Sequence, residues 1–109
     1  MEVDRVDEAI RSLPVQTKAI LAAVSQFDGG TNTGELYLAY SNLCKKIGIE
    51  TLTQRRVSGI LGELDLLGLV EASVVSKGRR GRTKKIQLLI GRDNLEKTLL
   101  EDPAFAAAS

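Results

Sequence analysis

Three stretches with apolar residues at steps of three and four, a switch to strict alternation after residue 68, and a glycine-bearing basic run between two alternating segments predict the fold class. It is α+β, mostly α: a winged helix-turn-helix with a three-helix core, a two-stranded β-hairpin wing, and extra N- and C-terminal helices. The 109 residues, 43% hydrophobic and 27% charged, suit one small globular domain. Only four residues are Phe or Tyr and none is Trp, so Leu, Ile, Val and Ala must build the core.

The elements follow in order. Ala9, Ile10 and Leu13 form a weak helical face, and Pro14 ends that helix or starts the next. Ile20, Leu21, Val24 and Phe27 predict a helix over 15–27, and the turn formers of DGGTNTG break it. Leu36, Tyr40, Leu43 and Ile47 mark a helix from about Thr33, with Gly48 placed to cap its C-terminus. After the link IETL, Thr53 can cap a third core helix whose inner stripe is Val57, Ile60, Leu61 and Leu64. In LVEASVVS, Val70, Ala72 and Val74 alternate with their neighbours, as do Ile86, Leu88 and Ile90 in KKIQLLI. The basic stretch between these strands, roughly Lys77 to Thr83, is then a hairpin tip. A last helix over about 92–101 shows Leu95 and Leu99 on one face, and PAFAAAS reads as a frayed tail.

Composition excludes several kinds of chemistry. Cys44 is the single cysteine and histidine is absent, which removes disulfides, most zinc chemistry and histidine-based catalysis and suits a reducing compartment. No apolar run reaches membrane length, and the acidic start MEVDRVDEAIRSL is unlike a secretory signal, so a cytoplasmic, non-membrane protein is expected. No nucleophile with a base and no GxxxxGK[ST] loop is legible, so no catalysis and no metal site are expected of this chain.

The charge is segregated. The net charge of +1 hides ten basic residues against four acidic ones between Lys45 and Lys85, and five basic against ten acidic elsewhere. SKGRRGRTKK alone holds six cations, a repulsion that a solvated loop gains nothing from and a polyanion would offset. Gly78 and Gly81 let such a tip bend and approach a phosphate or a groove floor. Arginine forks at Arg79, Arg80 and Arg82 suit phosphates and narrow minor grooves. On the third core helix, Arg55, Ser58, Gly59 and Gly62 share the outward face, with Gln54 beside them. Two interior glycines cost roughly 1 kcal/mol each against alanine. Either they let the helix seat closely on a duplex, or they make room for a neighbouring helix. Arg56 falls at the edge of the buried face, within reach of Glu50 or Glu63. Tyr37 and Tyr40 read as packing residues, Tyr37 being the better phosphate contact of the two, and Lys45 and Lys46 suit either a helix C-terminus or a nearby DNA backbone.

LPVQTKAILAAV, TGELYLAYSNLCKKIGIETLTQRRVSGILGELDLLGLV and SKGRRGRTKKIQL, together about residues 13–88, carry a family resemblance. The chain resembles the C-terminal winged-helix domain of the archaeal replication initiators related to the eukaryotic origin recognition complex subunit 1 and cell division control protein 6. The resemblance implies binding of double-stranded DNA at replication origins, with a recognition helix at a major groove and a wing in an adjacent minor groove. It implies roles for Thr53, Gln54, Arg55, Arg56 and Ser58 in the helix, and for Lys77, Gly78, Arg79, Arg80, Gly81, Arg82 and Lys84 in the wing. Residues 1–13 then read as the end of a preceding lid or linker helix, 14–102 as the winged-helix domain and 103–109 as the tail. Whole initiators carry an ATPase module whose motifs are absent from these residues, so ATP and magnesium are expected only there and no cofactor is expected here. A replicative helicase or other initiator subunits are further partners the family suggests. Two other readings stand beside DNA binding: a winged helix that docks an acidic protein, and a transcriptional regulator, which would need a long apolar dimer helix that neither end of the chain supplies.

Overall fold

The computed structural model describes residues 2–76 and 82–107. The helices are α1 (Glu2–Arg11), α2 (Val15–Ser25), α3 (Thr33–Ile47), α4 (Gln54–Leu66), α5 (Arg92–Leu99) and α6 (Pro103–Ala106), and the strands are β1 (Thr31–Asn32), β2 (Val70–Ser76) and β3 (Arg82–Leu88). The arrangement is the expected winged helix with three helices, α2, α3 and α4, around the core.

α2 is the centre. Pro14, with φ −62°, sets its first turn, and its carbonyl accepts the Lys18 N–H at 3.0 Å. Ala19, Ile20, Leu21, Ala23 and Val24 are all fully buried, because α3, α4, α5 and β3 pack around this helix. Against it sit Leu36, Tyr40 and Cys44 of α3, Val57, Leu61 and Leu64 of α4, Val70 and Ile86 of the hairpin, and Leu95 of α5. Burying each such Leu, Ile or Val contributes roughly 1.5–3 kcal/mol, which lets a core poor in aromatic residues hold. Cys44 is completely buried as well.

The sheet is antiparallel with the order β1-β3-β2. Val70 pairs with Leu88 and Ala72 with Ile86, so the apolar side of the alternation faces the helices. The hairpin differs from expectation in two ways. β3 begins at Arg82, paired with Ser76, so Arg82 and Thr83 stand in the strand rather than in the tip. A third strand, β1, adds Thr31 opposite Ile86 and Asn32 opposite Lys85. Two residues are too short to display alternation, and Asn32 is also the N-cap of α3, accepting the Glu35 N–H at 2.9 Å.

The tail expected to fray instead begins with α6. Asp102 caps it by accepting the Ala104 N–H at 3.0 Å, Pro103 starts it, and Phe105 is buried in the core cluster. The Asp102 carboxylate also accepts from Lys18 Nζ at 2.9 Å, and Lys18 is only 8% exposed. α1 lies against α5, with Ile10 buried and an Arg11–Glu101 ion pair at 2.7 Å on the surface.

Candidate nucleic-acid interface

The turn between α3 and α4 decides where α4 points. α3 stops at Gly48, whose φ of +79° is left-handed and suits glycine, and the Gly48 and Ile49 N–H groups both donate to the Cys44 carbonyl at 2.9 Å. The chain then reaches Thr53, whose hydroxyl accepts the Arg56 N–H at 3.2 Å as the cap of α4.

Between these caps, two tyrosines grip one residue. The Tyr37 hydroxyl donates to the Leu52 carbonyl at 2.8 Å, and the Leu52 N–H donates to the Tyr40 hydroxyl at 3.0 Å. Tyr40 in turn donates to Gln16 Oε1 at 2.6 Å, and the Gln16 amide donates to the Glu50 carbonyl at 2.6 Å. Burial of the Tyr40 ring pushes its hydroxyl up to about 12, further raised by neighbouring Cys44 and opposed by the Leu52 N–H. Tyr37, read from sequence as the better phosphate contact, thus commits its proton to the turn. Gln16 went unremarked in the sequence, since nothing local connects it to a turn more than thirty residues away.

α4 buries Val57, Leu61 and Leu64 and half-buries Ile60, at helical spacing. On the other side Thr53, Gln54, Arg55, Gly59 and Gly62 are exposed, and Ser58 is half-buried. Arg56 is exposed rather than at the edge of the buried face, and it forms no ion pair with Glu50 or Glu63. Arg55 likewise has no ionic partner among the described residues. A Cβ built on Gly59 or Gly62 would meet nothing within 4 Å, so neither glycine makes room for another of the described helices. The first turn of α4 holds no acidic residue, and the helix dipole adds to its two arginines there. Lys45 and Lys46 are exposed in the last turn of α3, where their charges suit the helix C-terminus.

In the wing, Lys77, Gly78, Arg79, Arg80 and Gly81 lie outside the described residues. Arg82 opens β3, and Lys84, half-buried, occupies the same side of the strand as Ile86 by alternation. Lys85 is exposed on the other side, and its chain runs over Gly30, where a Cβ would come within 3.1 Å of it. Among the described residues no group of three or more His, Cys, Asp or Glu could hold a metal, and no helix is long and apolar enough to cross a membrane.

Comparisons with known proteins give the same fold. The family described as "CDC6, C terminal winged helix domain" matches residues 8–98. The ORC1-type DNA replication protein 1 of Methanosarcina acetivorans is 49% identical over 108 residues, which cover 94% of this chain and 26% of that protein. That of Aeropyrum pernix is 45% identical over 109 residues, 97% of this chain and 28% of the relative. The chain therefore spans about a quarter of the length of these curated relatives. Among solved structures, the Aeropyrum pernix ORC1 protein in complex with DNA aligns with a TM-score of 0.88 and 43% identity, over 97% of this chain and 28% of that one. Drosophila ORC bound to DNA aligns over 85% of this chain and 24% of that one, with a TM-score of 0.72 but 17% identity, a likeness of fold alone.

Proposed function

The chain belongs to the CDC6 C-terminal winged helix domain family, and on that premise we propose that it binds double-stranded DNA at replication origins as the C-terminal module of an initiator. α4 enters a major groove and the basic wing an adjacent minor groove. The observation that carries this reading is the start of α4: two arginines without ionic partners among the described residues, a capped N-terminus free of acid, and a glycine face with open space above it. The relative solved in complex with DNA supports it.

In this reading Thr53, Gln54, Arg55, Arg56 and Ser58 meet phosphates and base edges, with Arg55 the residue that reads a base. Lys77, Arg79, Arg80, Arg82 and Lys84 neutralise phosphates of the narrower groove, and Gly78 and Gly81 allow the close approach. The tyrosine-held turn fixes the angle at which α4 is presented. ATP and magnesium are assigned to no residue of this chain, and helicase or other initiator subunits would meet the protein outside the duplex face.

Fluorescence anisotropy of a labelled duplex across a salt series tests the reading. The wild type is compared with a variant in which Arg79, Arg80 and Arg82 are alanine. Weaker binding and a shallower salt dependence in the variant support the wing contact; equal binding by both proteins moves the contact elsewhere, and none by either at low salt removes the DNA reading.

A further inference from the structure

The far end of α4 carries the opposite chemistry from its start. The helix closes in a reversal in which the Leu69 N–H donates to the Leu64 carbonyl at 3.1 Å and the Gly68 N–H to the Asp65 carbonyl at 3.0 Å, with Gly68 at φ +78°. This nested pair turns Leu69 into the core and leaves Leu66 and Leu67 outside, 90% and 57% exposed. Leu89, 51% exposed, lies beside this reversal, its N–H donating to the Leu69 carbonyl at 3.0 Å. Three of the five large apolar side chains that the described residues leave in water thus gather round one reversal.

Their surroundings are acidic. Glu63, Asp65 and Glu71 are exposed there. Among the described residues Glu63 and Asp65 have no ionic partner, and Glu71 meets only the neutral Gln87 amide at 3.4 Å. Single exposed leucines are ordinary on a protein surface, but a cluster rimmed by unneutralised carboxylates is a recognition surface. A duplex does not fit it, since phosphates are repelled by the rim and gain nothing from leucine. A second copy does not fit either: pairing about a two-fold axis would set the same carboxylates against themselves. The complement is a polypeptide with an apolar stripe flanked by lysine or arginine.

We infer that the surface around Leu66, Leu67 and Leu89 docks a basic amphipathic helix of a partner protein, its apolar stripe on the leucines and its cations against Glu63, Asp65 and Glu71. The 13 residues of α4 span about 20 Å, enough to separate this surface from the arginines at the other end of the helix.

The test titrates the isotope-labelled 109-residue chain with a synthetic 18-residue helical peptide of leucine and lysine, and with its leucine and glutamate counterpart, following backbone amide shifts. No duplex is present, so failure here is separate from failure of the DNA reading. The lysine peptide should shift amides over 63–71 and 87–89, with affinity lowered about tenfold by L66S/L89S and about threefold or more by E63Q/D65N. Leu66 and Leu89 are solvent-facing, so these variants keep the fold, which the unperturbed amide spectrum verifies. Equal binding of the two peptides, shifts centred on other acidic surfaces, or no shift at millimolar peptide would overturn the inference. Concentration-dependent shifts at residues 66–67 without peptide would overturn it in favour of a second copy.

Discussion

The hydroxyl of Tyr40 accepts the Leu52 N–H at 3.0 Å while giving its own proton to Gln16 at 2.6 Å, so one buried oxygen joins α3, the turn and α2. Tyr40→Phe removes both bonds and leaves the Leu52 N–H and the Gln16 carbonyl without this partner. The expected cost is about 1–3 kcal/mol in urea unfolding at pH 7.

The same hydroxyl predicts a pH dependence. Its folded value, about 12, lies above the ordinary value of 10.0, so the folded state holds the proton more tightly than the unfolded one. The associated stability is complete below about pH 10 and is lost as pH rises from there toward 12. Unfolding midpoints should fall over that window in the wild type and flatten in Tyr40→Phe. A parallel fall in both proteins would assign the alkaline limb to another group.

For duplex binding, about five neutralised phosphates give a slope of log K against log salt near −4 to −5. The Arg79, Arg80 and Arg82 triple variant should flatten this slope and weaken all sequences alike. Arg55→Ala should cost roughly 1–3 kcal/mol on a preferred duplex and relax base preference. Unchanged preference would remove base reading from Arg55.

Gly59 and Gly62 separate stability from seating. Because a Cβ at either meets only open space, Gly→Ala should stabilise the free chain by roughly 0.5–1 kcal/mol per site. If α4 lies close in the groove, the same substitutions should lower duplex affinity. Calorimetry paired with anisotropy reads both effects, and a gain in stability with full affinity would mean that the duplex does not approach this face.

Buried Lys18 and half-buried Asp102 form an ion pair that ties the C-terminal segment to α2. The hydrogen bond from Lys18, with help from the Ala104 N–H, holds the Asp102 carboxyl below its ordinary value. Its contribution is therefore present above about pH 4 and is lost as pH falls through the lower, folded value. Asp102→Asn should destabilise the chain by about 2 kcal/mol at pH 7, leaving the Lys18 charge buried and unpaired, and the difference from wild type should shrink in strong acid. Urea unfolding at pH 7 and pH 3 measures it.

Periodicity and punctuation alone determined most of the fold. The stripes of Leu36, Tyr40 and Leu43 and of Val57, Leu61 and Leu64, the caps at Gly48 and Thr53, and the alternation of Val70 with Ala72 are local signals, and each element sits where they put it. The charge segregation and the outward face of α4 were legible for the same reason, since a helix or strand of known period shows which residues share a side. Tertiary structure decided what depends on distant partners. β1 is two residues that exist as a strand because Ile86 and Lys85 lie opposite; α6 is held because Lys18 reaches Asp102 and Phe105 finds the core. The angle of α4 rests on Gln16, Tyr37 and Tyr40 meeting one turn, and the leucine surface on Leu89 arriving beside the end of α4. Sequence period reports the side on which a residue faces; which surface arrives there is settled only when the chain closes on itself.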